Sequence, residues 1–379
     1  MIYINKRWIL FFLFIFVFTH AMVFAEDTNG YLSVTGPCTL KFPEDHASHS
    51  GYRTEWWYYT GNLKSALGKR YGFQLTFFRR RLIPSESEKK WPTPASAWRS
   101  GQIYLAHAAI SDLDGKHHFY AQDMGRGVLG IAGEYRDNDT IRIFVKKWSS
   151  RIGPKVHRLK MISDPFSFDL NLTPVKPVVF HGKKGYSRKG STPESASCYY
   201  SLTRLETKGQ VTLAGKTFAV NGLSWMDHEF STAPLEPGLV GWDWFGLQLS
   251  DNTEIMIYRL RHEDGTFHPA SSGTYIRSNG KTKHLSGHDI EVTVTDTWNS
   301  PNSGAVYPAR WRLRIPSPAM DLMIAPNLAD QEMSTTESTG VTYWEGSVSV
   351  RGIKTGRQIK GKGYVELTGY AEGFDAPLY

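Results

Sequence analysis

The densest run of chemically competent side chains is Ser224-Trp-Met-Asp-His-Glu-Phe230, in which Asp227, His228 and Glu229 stand side by side. In an extended strand successive side chains point to opposite faces, so Asp227 shares a face with Trp225 and Glu229 while His228 opposes them. A carboxyl beside indole rings in a dry cavity has its neutral form favoured, which makes it a usable general acid. Asp227, Trp225 and His228 are therefore the candidate catalytic residues. The same cluster also suits a structural network that caps backbone amides or closes a salt bridge, and spacing leaves both readings open.

Other chemistries find less support. Gly222-Leu-Ser224-Trp-Met226 lacks the final glycine of a nucleophile elbow and its strand–turn–helix setting. The histidines are dispersed, with no H-E-x-x-H and no paired cysteines, so no metal site is expected. No P-loop or G-x-G-x-x-G is placed to cradle a phosphate, and no cofactor is expected. His117-His118, beside Asp114-Gly115, reads as part of a hairpin turn.

A second group of residues is suited to holding a ligand. Glu55-Trp-Trp-Tyr-Tyr-Thr60 sends Trp56, Tyr58 and Thr60 one way and Glu55, Trp57 and Tyr59 the other. Both faces are aromatic, so this strand is either covered on both sides or lines a cavity with one face. Trp242 and Trp244 share a face, with Asp243 opposed. Such a density of Trp and Tyr suits a long apolar ligand oriented by ring OH and NH groups, and it also suits a solid core. Glu55, Trp57, Tyr59, His107, Trp242, Trp244 and Tyr343 are the candidate lining residues. His107, on the apolar strand Tyr104-Leu-Ala-His-Ala-Ala-Ile, has the commoner role of a satisfied core histidine as its alternative.

The elements that must position these residues are strands. Tyr71, Phe73, Leu75 and Phe77 alternate with Gln74 and Thr76, the pattern of a half-buried strand. Further alternating runs begin at Thr140, Glu254, Glu291 and Ala309, with turn signals such as Asp251-Asn252, Asp264-Gly265 and Asn279-Gly280 between them. No convincing amphipathic helix follows the leader. With 379 residues, 35 glycines and 13% aromatics, the chain is long enough for two domains and leans towards β-structure. Glu55–Leu63 and Trp242–Leu249 each run as aromatic strand, turn and alternating strand, so the halves echo one another. The expectation is an all-β protein of two antiparallel β-barrels in tandem. A barrel of about eight strands has an interior just wide enough for side chains or one ligand.

The N-terminus reads as a leader. Lys6 and Arg7 precede eleven apolar residues, Trp8 to Phe18, and Val23-Phe24-Ala25 supplies a small-residue cleavage site. Eleven residues do not cross about 30 Å of hydrocarbon as a helix, so no stable transmembrane segment is expected after cleavage; with His20 to Ala25 added the stretch is long enough to span, and an uncleaved anchor is the alternative. Residues 1–25 are read as a cleaved signal peptide, 26–50 as an N-terminal extension and 51–231 as the first barrel. A linker, 232–238, and a second barrel, 239–379, follow. The product is exported, periplasmic or secreted, where Cys38 and Cys198 either form one long-range disulfide or remain two small buried side chains. The formal net charge of +8 comes from short, scattered basic runs, and nucleic acid is not an expected partner.

Several strings resemble the AttH/CrtC-like family of lipocalin-like proteins. They are His49–Leu63, Ala106-His107-Ala108, Ser224–Phe230, Gly241–Leu249, Thr339–Gly346 and Gly363–Tyr370, and the likeness spans about Lys41 to Gly373. The family takes in carotenoid 1,2-hydratases and exported proteins often labelled "predicted secreted hydrolase". The resemblance implies two lipocalin-like barrels side by side. It also implies that Asp227 stands where the hydratases place the acid that protonates a terminal double bond. Trp225 stands where they carry Tyr, while their upstream His and Trp fall near Cys198 and Tyr200, which do not match. The expected function is binding of an apolar, isoprenoid- or lipid-like molecule. The alternatives are a hydratase- or hydrolase-type enzyme using Asp227 and an accessory protein handing its ligand to an envelope ABC transporter.

Overall fold

Alternating apolar strands with two buried faces need cover on both sides, and the fold supplies it by docking one curved sheet against another. The computed structural model describes residues 30–94 and 96–371, and the expected signal peptide, 1–25, lies outside them. Among the described residues a thirteen-stranded antiparallel sheet runs from Thr54 to Ser231 and a ten-stranded one from Leu239 to Leu367. The first curls into a nearly closed barrel and the second into a half-barrel. The helices are single turns, Glu44–His46, Ser85–Lys89 and Gly287–Asp289. No described helix is long and apolar enough to cross a membrane.

The central strand of the first barrel, Thr54–Ser65, pairs with Arg70–Arg81 on one side and Lys216–Ser231 on the other. Its odd-numbered residues turn inward. Trp57 and Tyr59 are fully buried among Phe73, Leu75 and Phe77 in a packed core, where Trp57 Nε1 donates to His46 O at 2.9 Å. Tyr59 Oη lies 3.0 Å from His157 Nδ1 and accepts from Ser150 Oγ at the same distance. The expected lining role of Glu55, Trp57 and Tyr59 is therefore corrected, because the face they share fills the barrel solidly. Gln74 and Thr76 also depart from the half-buried pattern, since the second barrel covers their face.

The two barrels share an apolar seam of Tyr58, Tyr199 and Trp225 from the first with Trp244, Met256, Tyr258, Leu260 and Tyr364 from the second. Polar contacts fix its register. Asn62 Nδ2 donates to Gly363 O at 3.1 Å, and Gln248 Nε2 donates to Thr203 O at 2.8 Å and Ser224 O at 2.9 Å. The buried Glu254 accepts from Arg204 at 2.5 Å and Lys176 at 2.7 Å. The segment before the first strand folds against the first barrel, where Cys38 and Cys198 form a disulfide with Cα atoms 6.0 Å apart. A satellite core of Val34, Tyr52, Ala196 and Phe230 surrounds it.

Candidate functional site

Strand Lys216–Ser231 presents its odd-numbered residues outward, towards the second barrel, so Trp225, Asp227 and Glu229 face the seam. There the two curved surfaces diverge and leave a cavity of about 120 Å³. Trp56, Tyr58 and Phe78 line it from the first barrel, with Trp242, Trp244, Tyr258, Leu260 and Tyr343 opposite. Ala233, Pro234 and Leu235 of the connecting segment close one side. The aromatic face of the Glu55–Thr60 strand that meets the cavity is thus Trp56 and Tyr58.

Asp227 is 3% exposed and sits on this wall. Its Oδ1 accepts from Trp225 Nε1 at 2.6 Å and from Ser201 Oγ, and its Oδ2 accepts from Tyr199 Oη at 2.6 Å. Burial pushes its carboxyl up to about 7, against the three donors and aided by the nearby Glu229. Behind it, His181 Nε2 lies 2.6 Å from Ser201 Oγ and Nδ1 lies 2.9 Å from Thr274 Oγ1 of the second barrel. Burial holds that imidazole neutral. Trp244 Nε1 donates to Tyr199 Oη at 3.0 Å, so both barrels support the hydroxyl that holds Asp227. Ser201 is fully buried behind the carboxyl and offers no nucleophile to the cavity.

The opposite wall carries two further acids paired across neighbouring strands, the buried Glu345 and the half-buried Glu366. Burial and their mutual repulsion raise Glu345 well above the usual carboxylate range. Burial likewise pushes Glu366 up to about 7, although Trp242 Nε1 donates to it at 3.3 Å. Lys189 Nζ pairs with Glu229 at 3.0 Å and lies 3.8 Å from the Tyr258 ring centroid.

Two expected site residues fall elsewhere. His228, a candidate catalytic residue, points into the first barrel because strand alternation turns it away from Asp227. Its Nε2 lies 2.8 Å from Glu55 Oε1 and its Nδ1 2.7 Å from Tyr200 Oη. Burial opposes ionisation of Glu55, but Arg79, at 2.8 Å, and His49 outweigh it and hold the carboxyl well below its ordinary range. His49, Glu55 and His228 offer ligand atoms within 4.8 Å of one another, but Arg79 engages the same carboxylate, so the group is a charge-paired network. His107 is not on the cavity wall. It bridges the barrels through Tyr343 Oη and Ser338 Oγ, both at 2.9 Å, and burial lowers it to about 3, so it is neutral.

Tyr199, Ser201, His181, Glu345 and Glu366 were not singled out from sequence. The two glutamates were accessible there, since Tyr343/Glu345 and Tyr364/Glu366 alternate onto shared faces. The positions beside Asp227 are Tyr199 and Ser201. Cys198 is in the disulfide, and Tyr200 lies in the barrel interior against His46.

A profile described as AttH-like matches residues 33–370. A solved structure from Nitrosomonas europaea, provisionally named AttH, superposes with a TM-score of 0.78 at 30% identity, covering 89% of this chain and 99% of that one. Kievitone hydratase from Nectria haematococca gives 0.68 at 17% identity, over 92% and 98% of the two chains. CghA gives 0.54 at 12% identity, over 89% and 94%. The last two likenesses show a shared fold alone. No curated protein matches the sequence. A profile match over most of the length, together with a 30% identical structure superposing on most of the chain, places this protein in the AttH-like family.

Proposed function

We propose that this is an exported protein that binds an apolar, isoprenoid- or lipid-like molecule in the cavity between its barrels. The observation that carries the reading is an aromatic cleft built from both barrels, with the buried Asp227 carboxyl held at its wall by three donors. About 120 Å³ is close to the ~150 Å³ cavity that accepts benzene in an engineered protein, so one ring-sized or branched terminal group enters.

Asp227 favours a second, catalytic reading. A carboxyl with its pKa near 7 is still partly protonated at neutral pH and donates efficiently. Proton transfer from it to a terminal C=C bond forms a new C–H bond from the π electrons and leaves a positive charge on the adjacent carbon. The Trp and Tyr faces stabilise that charge. Water then forms the C–O bond and returns a proton to the Asp227 carboxylate. Asp227→Asn separates the readings when assayed against a panel of isoprenoids and lipids. Catalysis predicts affinity within about twofold of the parent and turnover reduced at least ~100-fold, within the usual range for removing a general acid. A parent protein that binds but converts nothing leaves binding as the function. Absence of any bound lipid in native mass spectrometry of envelope-purified protein would count against both.

A further inference from the structure

The cavity that the proposed function fills has an unbalanced lining. Asp227 and Glu229 face it from the first barrel and Glu345 and Glu366 from the second. Among the described residues the connecting segment contributes only Ala233, Pro234 and Leu235, and the single basic side chain lining the cavity, Lys189, is engaged by Glu229. Glu345 and Glu366 face each other across adjacent strands. Glu345 is 2% exposed, and its Oε1 meets no donor in good hydrogen-bond geometry among the described residues, although the Tyr58 hydroxyl interacts with the carboxyl. Glu345 Oε1 and Tyr58 Oη both line the cavity without a well-formed hydrogen bond, and polar atoms left so on a cavity wall mark a place for a ligand group. The surrounding walls are π faces, and acids among aromatic rings form the environment that attracts an organic cation.

We propose that the ligand carries a positively charged nitrogen, seated against the Glu345–Glu366 pair and among the neighbouring aromatic rings. The inference rests on the inter-barrel cavity being the binding site and specifies the chemical class of its ligand. Two adjacent carboxyls in a poorly solvated site resist simultaneous ionisation, because each charge repels the other. A bound cation relieves both penalties, so binding displaces a proton from the pair. A neutral ligand leaves that proton in place, and an anion meets repulsion from the ionised acids of the lining.

The test compares benzyltrimethylammonium with neopentylbenzene, which has the same shape and no charge, and with phenylmethanesulfonate, by calorimetry on the intact protein at pH 8. The ammonium compound is expected to bind at least ~10-fold more tightly than the hydrocarbon, with proton release visible as a dependence of the heat on the buffer. Its advantage shrinks as the pH falls from 8 through about 7, where Glu366 and Asp227 take up protons. Glu345→Gln and Glu366→Gln should each erase the preference and leave neopentylbenzene within about twofold. Both variants remove an acid from the cavity wall, and the parent comparison stands even if one of them does not fold. Equal binding of the isosteres, or preference for the sulfonate, overturns the cation assignment and leaves the cavity as the site. Failure of all three probes to bind overturns the cavity reading and this inference with it.

Discussion

The buried Asp227 carboxyl costs stability wherever it is ionised, whatever its part in the proposed proton transfer. Burial raises its folded pKa from 3.8 to about 7, so below pH 4 both the folded and unfolded chains hold the proton and stability is unaffected. Between pH 4 and 7 the unfolded chain releases it more readily, which costs the fold up to about 4 kcal/mol, complete above pH 7. Asp227→Asn is therefore expected to melt higher than the parent at pH 8 and at nearly the same temperature at pH 4, read by calorimetric scans. Glu55 behaves in the reverse way. Glu55→Gln leaves the fully buried Arg79 without its counter-charge and should cost about 3–5 kcal/mol in denaturant unfolding. Asp227 was legible because three polar residues interrupt an apolar run. Tyr199, Ser201 and His181 were not, because strand pairing brings them to Asp227 from up to 46 residues away.

Strand periodicity separated the residues of Glu55–Thr60 into two correct sets but could not say which set meets the cavity, since both are aromatic and both are covered. The structure makes the distinction testable. Trp57→Ala should cost about 3–5 kcal/mol, as expected for emptying a core site, measured by denaturant unfolding. Trp56→Ala, on the half-buried opposite face, should cost less and instead weaken ligand binding. Gly246 belongs to the same logic. The Trp244 indole folds over it, and a Cβ there would overlap the ring. Gly246→Ala is expected to displace that indole, break its bond to Tyr199 and change the tryptophan fluorescence before it changes the fold.

At the scale of the molecule the two echoed halves were readable as two β-barrels, because strand periods and turn signals are local. Their mutual docking was not, since contacts such as Asn62 to Gly363 join residues about 300 positions apart. The Cys38–Cys198 disulfide closes a loop of 160 residues. The chain-entropy account assigns such a loop about 5 kcal/mol, so Cys198→Ser should unfold at markedly lower denaturant, and reductant should shift the parent the same way. One consequence follows from the stretch between the barrels, whose Ala233, Pro234 and Leu235 are both tether and cavity wall. A single protease cut there would free the severed ends while the seam still held the fragments as a pair, so the nicked protein would elute intact on gel filtration yet lose hold of a molecule placed in the cavity.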